Sequence, residues 1–281
     1  MRPLSRGALE AAETDEARRE LSGCCAVIHL AGRAHVVDEG GDVQRQLEIY
    51  RLANCETTLR LARAAADAGV PRFVFVSSIR VNGDSSIRPF RADDDPNPDE
   101  PYAVSKFEAE VALRKLADER GFELVVVRPP LVYGPGVKAN FRRLMRLIEL
   151  GLPLPLASVQ SVRSLVGIRN LCDLLRVCVE HPAAAGRTLL VADESDITLP
   201  DLMRCLAEGM GMRLRLFPVA PSLLDVAARA VGKRAALLKL TASLQVDASE
   251  TYRVLGWRPP VSVRDGLLET GRWYSSSTSR S

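Results

Sequence analysis

RFVFVSS (72–78) and FELVVVRPP (122–130), with the helix-length segment 102–120 between them, decide the fold of this chain. Each of the two apolar runs has the length and the Val/Phe content of a strand buried on both faces. The segment between them closes at Gly121, a typical end of a helix. A strand, a helix and a second strand in this order predict a right-handed crossover and a parallel sheet covered by helices.

The same alternation continues toward the N-terminus. CAVIHLAG (25–32) is a short apolar run that ends in Gly, and it predicts another buried parallel strand. Residues 43–68 predict a long helix that stops at Gly69, and residues 10–21 predict a further helix. The predicted fold class is therefore α/β, with a Rossmann-like doubly wound parallel sheet.

The pattern changes after Gly134, where the segments become shorter and richer in Pro and Gly. We expect residues 1–134 to form the Rossmann-like core and residues 135–281 to form mainly a small C-terminal lobe. Within the second part, a strand and a helix near 162–181 are expected to return to the main sheet.

Composition and charge argue against several classes of protein. The net charge is only +3, which is too small for the concentrated basic face that nucleic acid needs. No apolar stretch approaches the roughly 20 residues that span a bilayer. The apolar stretch 219–244 is interrupted by charges, which favours a packed helix of the small lobe over an interfacial helix.

The cysteines and the N-terminus indicate a reducing compartment. None of the six cysteines forms a CxxC pair, and no His lies at metal-ligand spacing from them, so we expect free thiols and no metal. The polar N-terminus lacks the apolar core of a signal peptide. We therefore expect a cytoplasmic protein.

Ligands of a parallel sheet lie at the carboxyl ends of its strands. The residues that end the predicted strands are Ala31, Gly32, Ser77, Ser78, Pro129 and Pro130. A hydroxyl at the end of 72–78 could hydrogen-bond a reacting oxygen, although serines at strand ends also commonly cap backbone groups. The prolines and glycines after the third strand could equally form only a turn.

The helix that follows carries Tyr102-Ala-Val-Ser-Lys106. Residues four apart lie on one helix face, so Tyr102 and Lys106 are neighbours. A free tyrosine has a pKa of about 10, and a nearby ammonium lowers that pKa. Tyr102 is thus a candidate acid/base for a sugar hydroxyl or ketone, with Lys106 as its electrostatic tuner. The alternative is an exposed aromatic residue and an exposed Lys on one helix.

A set of motifs in a fixed order resembles a known family. The set comprises VIHLAG (27–32), FVFVSS (73–78) with VNG (81–83), YAVSK (102–106), RPPLVYGPG (128–136) and LGWRPP (255–260). It resembles the extended short-chain dehydrogenase/reductase superfamily, in particular its NAD-dependent epimerase/dehydratase family. Within that family, the chain is similar to the UDP-glucose 4-epimerase group and to the 4-ketoreductases of surface-polysaccharide synthesis.

The resemblance implies a role for individual residues. The implied catalytic residues are Ser78, Tyr102 and Lys106. The implied cofactor-binding residues are Ala31, Gly32, Asn54, Ser77, Tyr102, Lys106, Pro129 and Pro130. The implied contacts with a nucleotide-sugar substrate are Ser78, Asn140 and Arg163, the last pairing with the diphosphate. The resemblance also implies NAD, with NADP as the alternative, and a homodimer formed through the helices 43–68 and 102–120.

The departures from the family pattern bear on the reaction. Sugar 4,6-dehydratases carry an Asp-Glu pair where this chain has Ile79 and Arg80. Neither side chain can do that acid/base work, so we do not expect dehydration. Ser164 replaces an Asp beside the diphosphate Arg, and Leu131 replaces an Asn, which leaves the identity of the substrate open.

The largest departure is at the beginning of the chain. No GxxGxxG loop precedes Cys24, and the strand 25–32 resembles the fourth strand of the family. A fragment or a late start is favoured over a genuine short form, and we expect weak cofactor binding and marginal stability for this chain alone. Three functions follow: a C4 epimerase first, a one-way 4-ketoreductase second, and a non-catalytic remnant or binding module third.

Overall fold

A computed structural model describes residues 15–34, 42–230, 232 and 234–278 of the chain. The first half contains α1 (Asp15–Leu21), β1 (Val27–His29), α2 (Val43–Arg51), a π-helical turn (Leu52–Glu56), α3 (Thr57–Asp67), β2 (Arg72–Val76), a 3₁₀ turn (Ile79–Val81), α4 (Pro101–Arg120), β3 (Glu123–Arg128) and β4 (Leu131–Tyr133). The second half contains α5 (Ala139–Glu149), β5 (Val162–Arg163), β6 (Leu165–Gly167), α6 (Ile168–Glu180), a 3₁₀ turn (Pro182–Ala184), β7 (Thr188–Leu190), β8 (Ile197–Thr198), α7 (Leu199–Met210), α8 (Pro221–Ala230), α9 (Arg234–Thr241), α10 (Ser249–Leu255) and α11 (Val263–Thr278).

The main sheet has four parallel strands in the order β1-β2-β3-β7. In its register, Phe73 lies opposite Val27 on one side and Leu124 on the other. Val74 of β2 and the three valines of β3 are buried, as expected of strands covered on both faces. The predicted α/β fold with a Rossmann-like parallel sheet is thereby confirmed.

Helices cover both faces of this sheet. On one face, side chains of α1, α3 and α4 pack on the sheet and include Leu21, Leu61 and Leu113. On the other face, α6 and the end of α10 pack against the valines of β2 and β3. The sheet is therefore wound on both sides, and its carboxyl edge is the place where the helix starts and strand ends meet.

The fourth strand of the sheet differs from the sequence-based expectation. We expected a strand near 162–181 to return to the main sheet, but the strand that joins it is Thr188–Leu190. From the expected segment, α6 does pack on the sheet, whereas β6 pairs with β4 and β5 pairs with β8. Pro129 and Pro130 explain the change, because residues without an N–H cannot continue the ladder of β3. The chain after them diverges and takes β6 as its partner.

The C-terminal part packs around the helix pair α7 and α11. A Cβ added to Gly209 would meet the carbonyl oxygen of Leu268 at 2.4 Å, and one added to Gly271 would meet that of Leu206 at 2.5 Å. The two helices therefore approach closely through glycine. The apolar stretch 219–244 contributes α8 and α9, and within the described ranges no helix is long and apolar enough to cross a membrane. The domain boundary near 134 stays a prediction.

Candidate active site

The end of β2 turns directly into the candidate site. Ser78 is extended, and its hydroxyl accepts a hydrogen bond from the backbone N–H of Arg80 at 3.3 Å, which caps the 3₁₀ turn. The N–H of Ile79 donates to the carbonyl of Pro129 at 3.0 Å. The Ser78 turn is therefore fixed to the end of β3, and Pro129 and Pro130 form a buried wall behind it.

Tyr102 lies in the first turn of α4, which begins at Pro101 after Glu100. Its side chain lies beside that of Ser78, and its ring contacts that of Tyr50 edge-on at 5.9 Å between centroids. Burial raises the pKa of Tyr102, while the Ser78 side chain and the charge of Arg80 act in the opposite direction. The structure thus places Ser78 and Tyr102, the two hydroxyl-bearing residues that the resemblance implies are catalytic, next to each other.

Lys106 lies one helical turn after Tyr102 and is almost fully buried. Its Nζ donates to the carbonyl of Val76 at 3.0 Å and lies 4.7 Å from the centre of the Phe75 ring. Burial lowers the pKa of Lys106 to about 8, and the charge of Glu110 opposes that shift. The ammonium is thus directed toward the carboxyl ends of the strands, and its role as the tuner of Tyr102 stays a prediction.

Asn54 holds the loop that follows β1. It is fully buried in the π-helical turn, a feature that often occurs at functional sites. Its Oδ1 accepts the N–H of Arg33 at 2.7 Å, and its Nδ2 donates to the Arg33 carbonyl at 3.1 Å and to Ser105 Oγ at 3.0 Å. The π-helical turn therefore directs the amide of Asn54 at the loop that contains Ala31 and Gly32, and these bonds fix the path of that loop beside Lys106.

The space around Gly32 shows whether the carboxyl edge of the sheet has room for a dinucleotide. A Cβ at this position would lie 3.1 Å from Lys106 Nζ and 3.2 Å from Asn54 Oδ1, so only a residue without a side chain leaves this space open. An ammonium has three N–H donors, and the bond to the Val76 carbonyl uses one of them. The remaining donors suit ribose hydroxyls, so the residues present fit the ribose and nicotinamide end of NAD.

A buried ion pair that sequence reasoning missed lies beneath these residues. Arg128 Nη2 contacts Glu110 Oε2 at 2.6 Å, and both side chains are nearly inaccessible. Ser77 donates to Glu110 Oε1 at 2.5 Å, and Arg128 also donates to Asn82 Oδ1 at 3.0 Å. The hydroxyl of Ser77, which we expected at the cofactor, therefore lies in this network. The one signal in the sequence was the position of Glu110, four residues after Lys106 on the same helix face.

The expected substrate residues come from the C-terminal part. Arg163 is half-buried in β5 and donates from Nε to the carbonyl of Ala242 at 3.1 Å. Burial lowers the pKa of Arg163, and the nearby charge of Arg80 lowers it further. Arg163 is therefore brought toward the turn that follows Ser78. The side chain of Asn140 lies outside the part of the chain that the structure describes.

A second polar network joins β4 to the C-terminal part. The hydroxyl of Tyr133 donates to Asp193 Oδ2 at 2.6 Å, and Asp193 Oδ1 accepts from Gly167 N at 3.0 Å and Asn170 Nδ2 at 2.7 Å. Burial raises the pKa of Tyr133 strongly, and the charge of Asp193 adds to the effect. This tyrosine is therefore held in its protonated form.

An open groove of about 670 Å³ lies apart from these residues. It is lined by Arg88, Pro89, Arg91, Asp93, Asp94, Val246 and Asp247. The chemistry points instead to the carboxyl edge of the sheet, where Ser78 and Tyr102 meet. Among the residues that the structure describes, no three His, Cys, Asp or Glu side chains group into a metal site.

Comparison with known proteins places this constellation in a family. The family model for the NAD-dependent epimerase/dehydratase family matches residues 7–192. The chain belongs to the NAD-dependent epimerase/dehydratase family. A UDP-glucose 4-epimerase of Vibrio cholerae is 41% identical over 263 residues, which cover 92% of this chain and 80% of that protein.

More distant matches include a protein named as a reductase and a solved epimerase structure that shares the fold. A GDP-6-deoxy-D-mannose reductase of Pseudomonas aeruginosa is 26% identical over 255 residues, which cover 86% of this chain and 77% of that protein. A solved structure of a UDP-glucose 4-epimerase of Thermotoga maritima with UDP-glucose has a TM-score of 0.74 at 21% identity, covering 96% of this chain and 83% of that one. The expectation of an enzyme of this family that works with a nicotinamide dinucleotide is thereby confirmed.

Proposed function

We propose that the protein catalyses C4 epimerisation of a UDP-sugar through a transient 4-keto sugar. The observation that carries the proposal is that the side chains of Ser78 and Tyr102 lie next to each other at the carboxyl edge of the sheet. The similarity to the Vibrio cholerae protein named UDP-glucose 4-epimerase supports the choice of reaction and of nucleotide.

The two hydroxyls divide the work on the substrate oxygen. Tyr102 would take the proton of the C4 hydroxyl, while Ser78 hydrogen-bonds the same oxygen and fixes its position. NAD, when bound at the edge beside Gly32 and Lys106, would supply the hydride acceptor for C4 and the hydride for its return. Tyr102 would give the proton back after the keto sugar has turned its other face toward the site. The sugar is therefore inverted at C4 with no net oxidation.

The nucleotide diphosphate would lie against Arg163. A guanidinium pairs with phosphate oxygens through its fork of N–H donors. Arg163 is half-buried near Arg80, which places its guanidinium close to the Ser78 turn. Asn140, at the start of α5, is proposed as a further substrate contact.

The structure gives no residue for dehydration at the expected place. Ile79 is buried in the core, and Arg80 is engaged with the carboxylates of Asp84 and Glu100. Neither side chain can protonate a leaving hydroxyl or remove a proton from carbon at neutral pH. We therefore favour epimerisation over the dehydratase reaction that some family members are named for.

A one-way reduction of a 4-keto sugar is the second candidate. The relative named GDP-6-deoxy-D-mannose reductase supports it, as does a solved structure of that kind of protein with NADPH at a TM-score of 0.70. The same Ser78 and Tyr102 would serve that reaction, with Tyr102 as the proton donor.

Steady-state cofactor consumption separates the candidates. The full protein is supplied with NAD and UDP-glucose, and absorbance at 340 nm and sugar composition are followed together. We expect UDP-galactose to form without net NADH. Stoichiometric consumption of NADH or NADPH with a 4-keto sugar would support the reductase instead. The absence of turnover in both assays would leave the non-catalytic alternative.

We also propose a cytoplasmic homodimer that pairs through α2, α3 and α4. These helices already pack together within one chain, where Arg51 Nη2 contacts Glu108 Oε1 at 2.5 Å. Light scattering of the purified protein should give twice the mass of the chain, and a monomer mass at all concentrations would contradict this arrangement.

A further inference from the structure

Arg80 connects the turn that follows Ser78 to the start of α4, the helix that carries Tyr102. It is in the 3₁₀ turn that Ser78 caps, and its backbone N–H donates to the Ser78 hydroxyl at 3.3 Å. Its guanidinium contacts Glu100 Oε2 at 2.9 Å, and Glu100 is the N-cap residue of the helix that carries Tyr102. A single side chain therefore links the turn of one hydroxyl to the helix of the other.

We propose that Arg80 is the positioning residue of the acid/base pair, and that its link to Glu100 holds the Ser78 and Tyr102 hydroxyls together. This inference rests on the proposed function, because it assigns how the proposed acid/base is held. It also gives a role to a residue that otherwise only marks the absence of dehydratase chemistry.

The charges around Tyr102 support this reading. The groups that face it are Ser78 and Arg80 from the turn and Tyr50 from α2, while Lys106, one helical turn along α4, is directed at the Val76 carbonyl. Among these, the Arg80 guanidinium lowers the pKa of Tyr102, whereas Tyr50 and burial raise it. Loss of Arg80 would remove that charge and leave the carboxylates of Glu100 and Asp84 in its place. Both changes raise the pKa of Tyr102.

The ion pairs also limit what Arg80 can bind. Asp84 and Glu100 both contact its guanidinium, so its charge is already matched within the chain. A site for an anionic group of the substrate needs cationic charge that is not matched in this way. The arrangement therefore suits positioning and tuning rather than recognition of a carboxylate on the sugar.

The test is the pH profile of kcat for Arg80→Met, with Arg204→Met as the control. Arg204 is an exposed arginine in α7 whose partner is Asp201, so the control removes an ion pair that includes neither Ser78, Tyr102 nor Glu100. A tyrosine that acts as base gives a rate that rises with pH up to its pKa, and a pKa raised by one unit slows turnover tenfold below it. We expect Arg80→Met to lose roughly tenfold in kcat at pH 7, with KM little changed.

The shape of the pH profile of kcat distinguishes a shift in the pKa of Tyr102 from a general loss of folded protein. We expect the rising limb of Arg80→Met to move to higher pH, Arg80→Lys to recover part of the shift, and Arg204→Met to match the wild type. A profile of Arg80→Met that is unchanged, or that is lowered equally at every pH, would overturn the proposal.

A second variant, Glu100→Gln, tests the same link from its other end if Arg80→Met does not fold. Glu100→Gln removes the link to the Tyr102 helix but retains the cation. We expect kcat to fall at every pH without a shift of the rising limb toward alkaline pH, and full wild-type kcat would overturn the link. Wild-type protein that does not epimerise at all would instead contradict the proposed function.

Discussion

Tyr102 and Tyr133 are two tyrosines of one chain with opposite surroundings. Tyr133 is 1% exposed, and its hydroxyl donates to the buried carboxylate of Asp193 at 2.6 Å. Tyr102 is partly exposed, and its side chain lies beside Ser78 and near the charge of Arg80. A carboxylate beside a phenol keeps the proton on it, while a hydroxyl and a cation make its release easier.

This contrast separates a structural hydrogen-bond network around Asp193, which we call the frame, from the tyrosine proposed to be reactive. The Tyr133 network joins β4, the end of β6 and the start of α6 through the carboxylate of Asp193, as satisfied buried networks that hold elements together do. Tyr102 is partly exposed and lies at the carboxyl edge of the sheet. The same residue type therefore serves stability at one position, and at the other it carries the proton transfer that we propose.

The largest expected effect comes from removing the reactive hydroxyl. Tyr102→Phe should reduce kcat by roughly 10²–10⁴-fold, because the general acid/base is lost. The matched variant Tyr133→Phe should keep turnover within a few-fold when activity is normalised to folded protein. Steady-state assays of both variants give the answer, and equal losses would break the distinction between the two tyrosines.

Removing the acceptor of the frame should act on stability. Asp193→Ala leaves the Tyr133 hydroxyl, the Gly167 N–H and the Asn170 amide without their buried partner, which costs about 3 kcal/mol or more of unfolding free energy. Urea unfolding measures the loss. Glu194→Ala is the control, because its ion pair with Arg258 is exposed at the surface, and a change within about 0.5 kcal/mol is expected. An equal loss in both variants would show that the Asp193 network is not the frame.

A smaller effect is expected from crowding Tyr133. A Cβ on Gly266 would lie 2.6 Å from the Tyr133 hydroxyl oxygen, so Gly266→Ala should displace that hydroxyl from Asp193. We expect a loss of about 1–3 kcal/mol in unfolding free energy. Ser276→Ala, on the exposed face of the same helix, should change stability little. A stability gain in Gly266→Ala would contradict this packing.

The pH dependence of stability gives the smallest and most specific effect. The pKa of Tyr133 is raised in the folded state, so the unfolded chain releases this proton first as pH rises through about 10. The stabilisation is fully present below that pH and declines above it, by at most about 1.4 kcal/mol per pH unit. Urea unfolding from pH 8 to 11 should show this decline in the wild type and a flatter curve in Tyr133→Phe. Parallel curves would show that Asp193 does not hold the proton.

The sequence was informative where the signal is local. The apolar runs, the Gly stops and the four-residue spacing of Tyr102 and Lys106 each lie within one element. They predicted the parallel sheet, its first three strands and the hydroxyls at its edge. The short strand Thr188–Leu190 escaped prediction, since three residues are too few for a periodic pattern.

The rest depended on contacts between distant segments. Glu110 and Arg128 belong to a helix and a strand, and only the packing of α4 on the sheet makes them partners. The bonds of Asn54 require a π-helical turn and a loop 21 residues away. From the sequence, Arg80 indicated only that dehydration is not expected, because its partner Glu100 lies 20 residues further along the chain.

The most direct test of the account is an epimerisation assay with UDP-glucose that carries deuterium at C4. The full protein is incubated with NAD, and the label in the UDP-galactose formed is measured by mass spectrometry and NMR. We predict product with deuterium retained at C4 and no net NADH, because the hydrogen removed from C4 is returned to it. Label lost to water, or no conversion by folded protein that binds UDP-glucose, would contradict epimerisation at C4 by Tyr102 and Ser78.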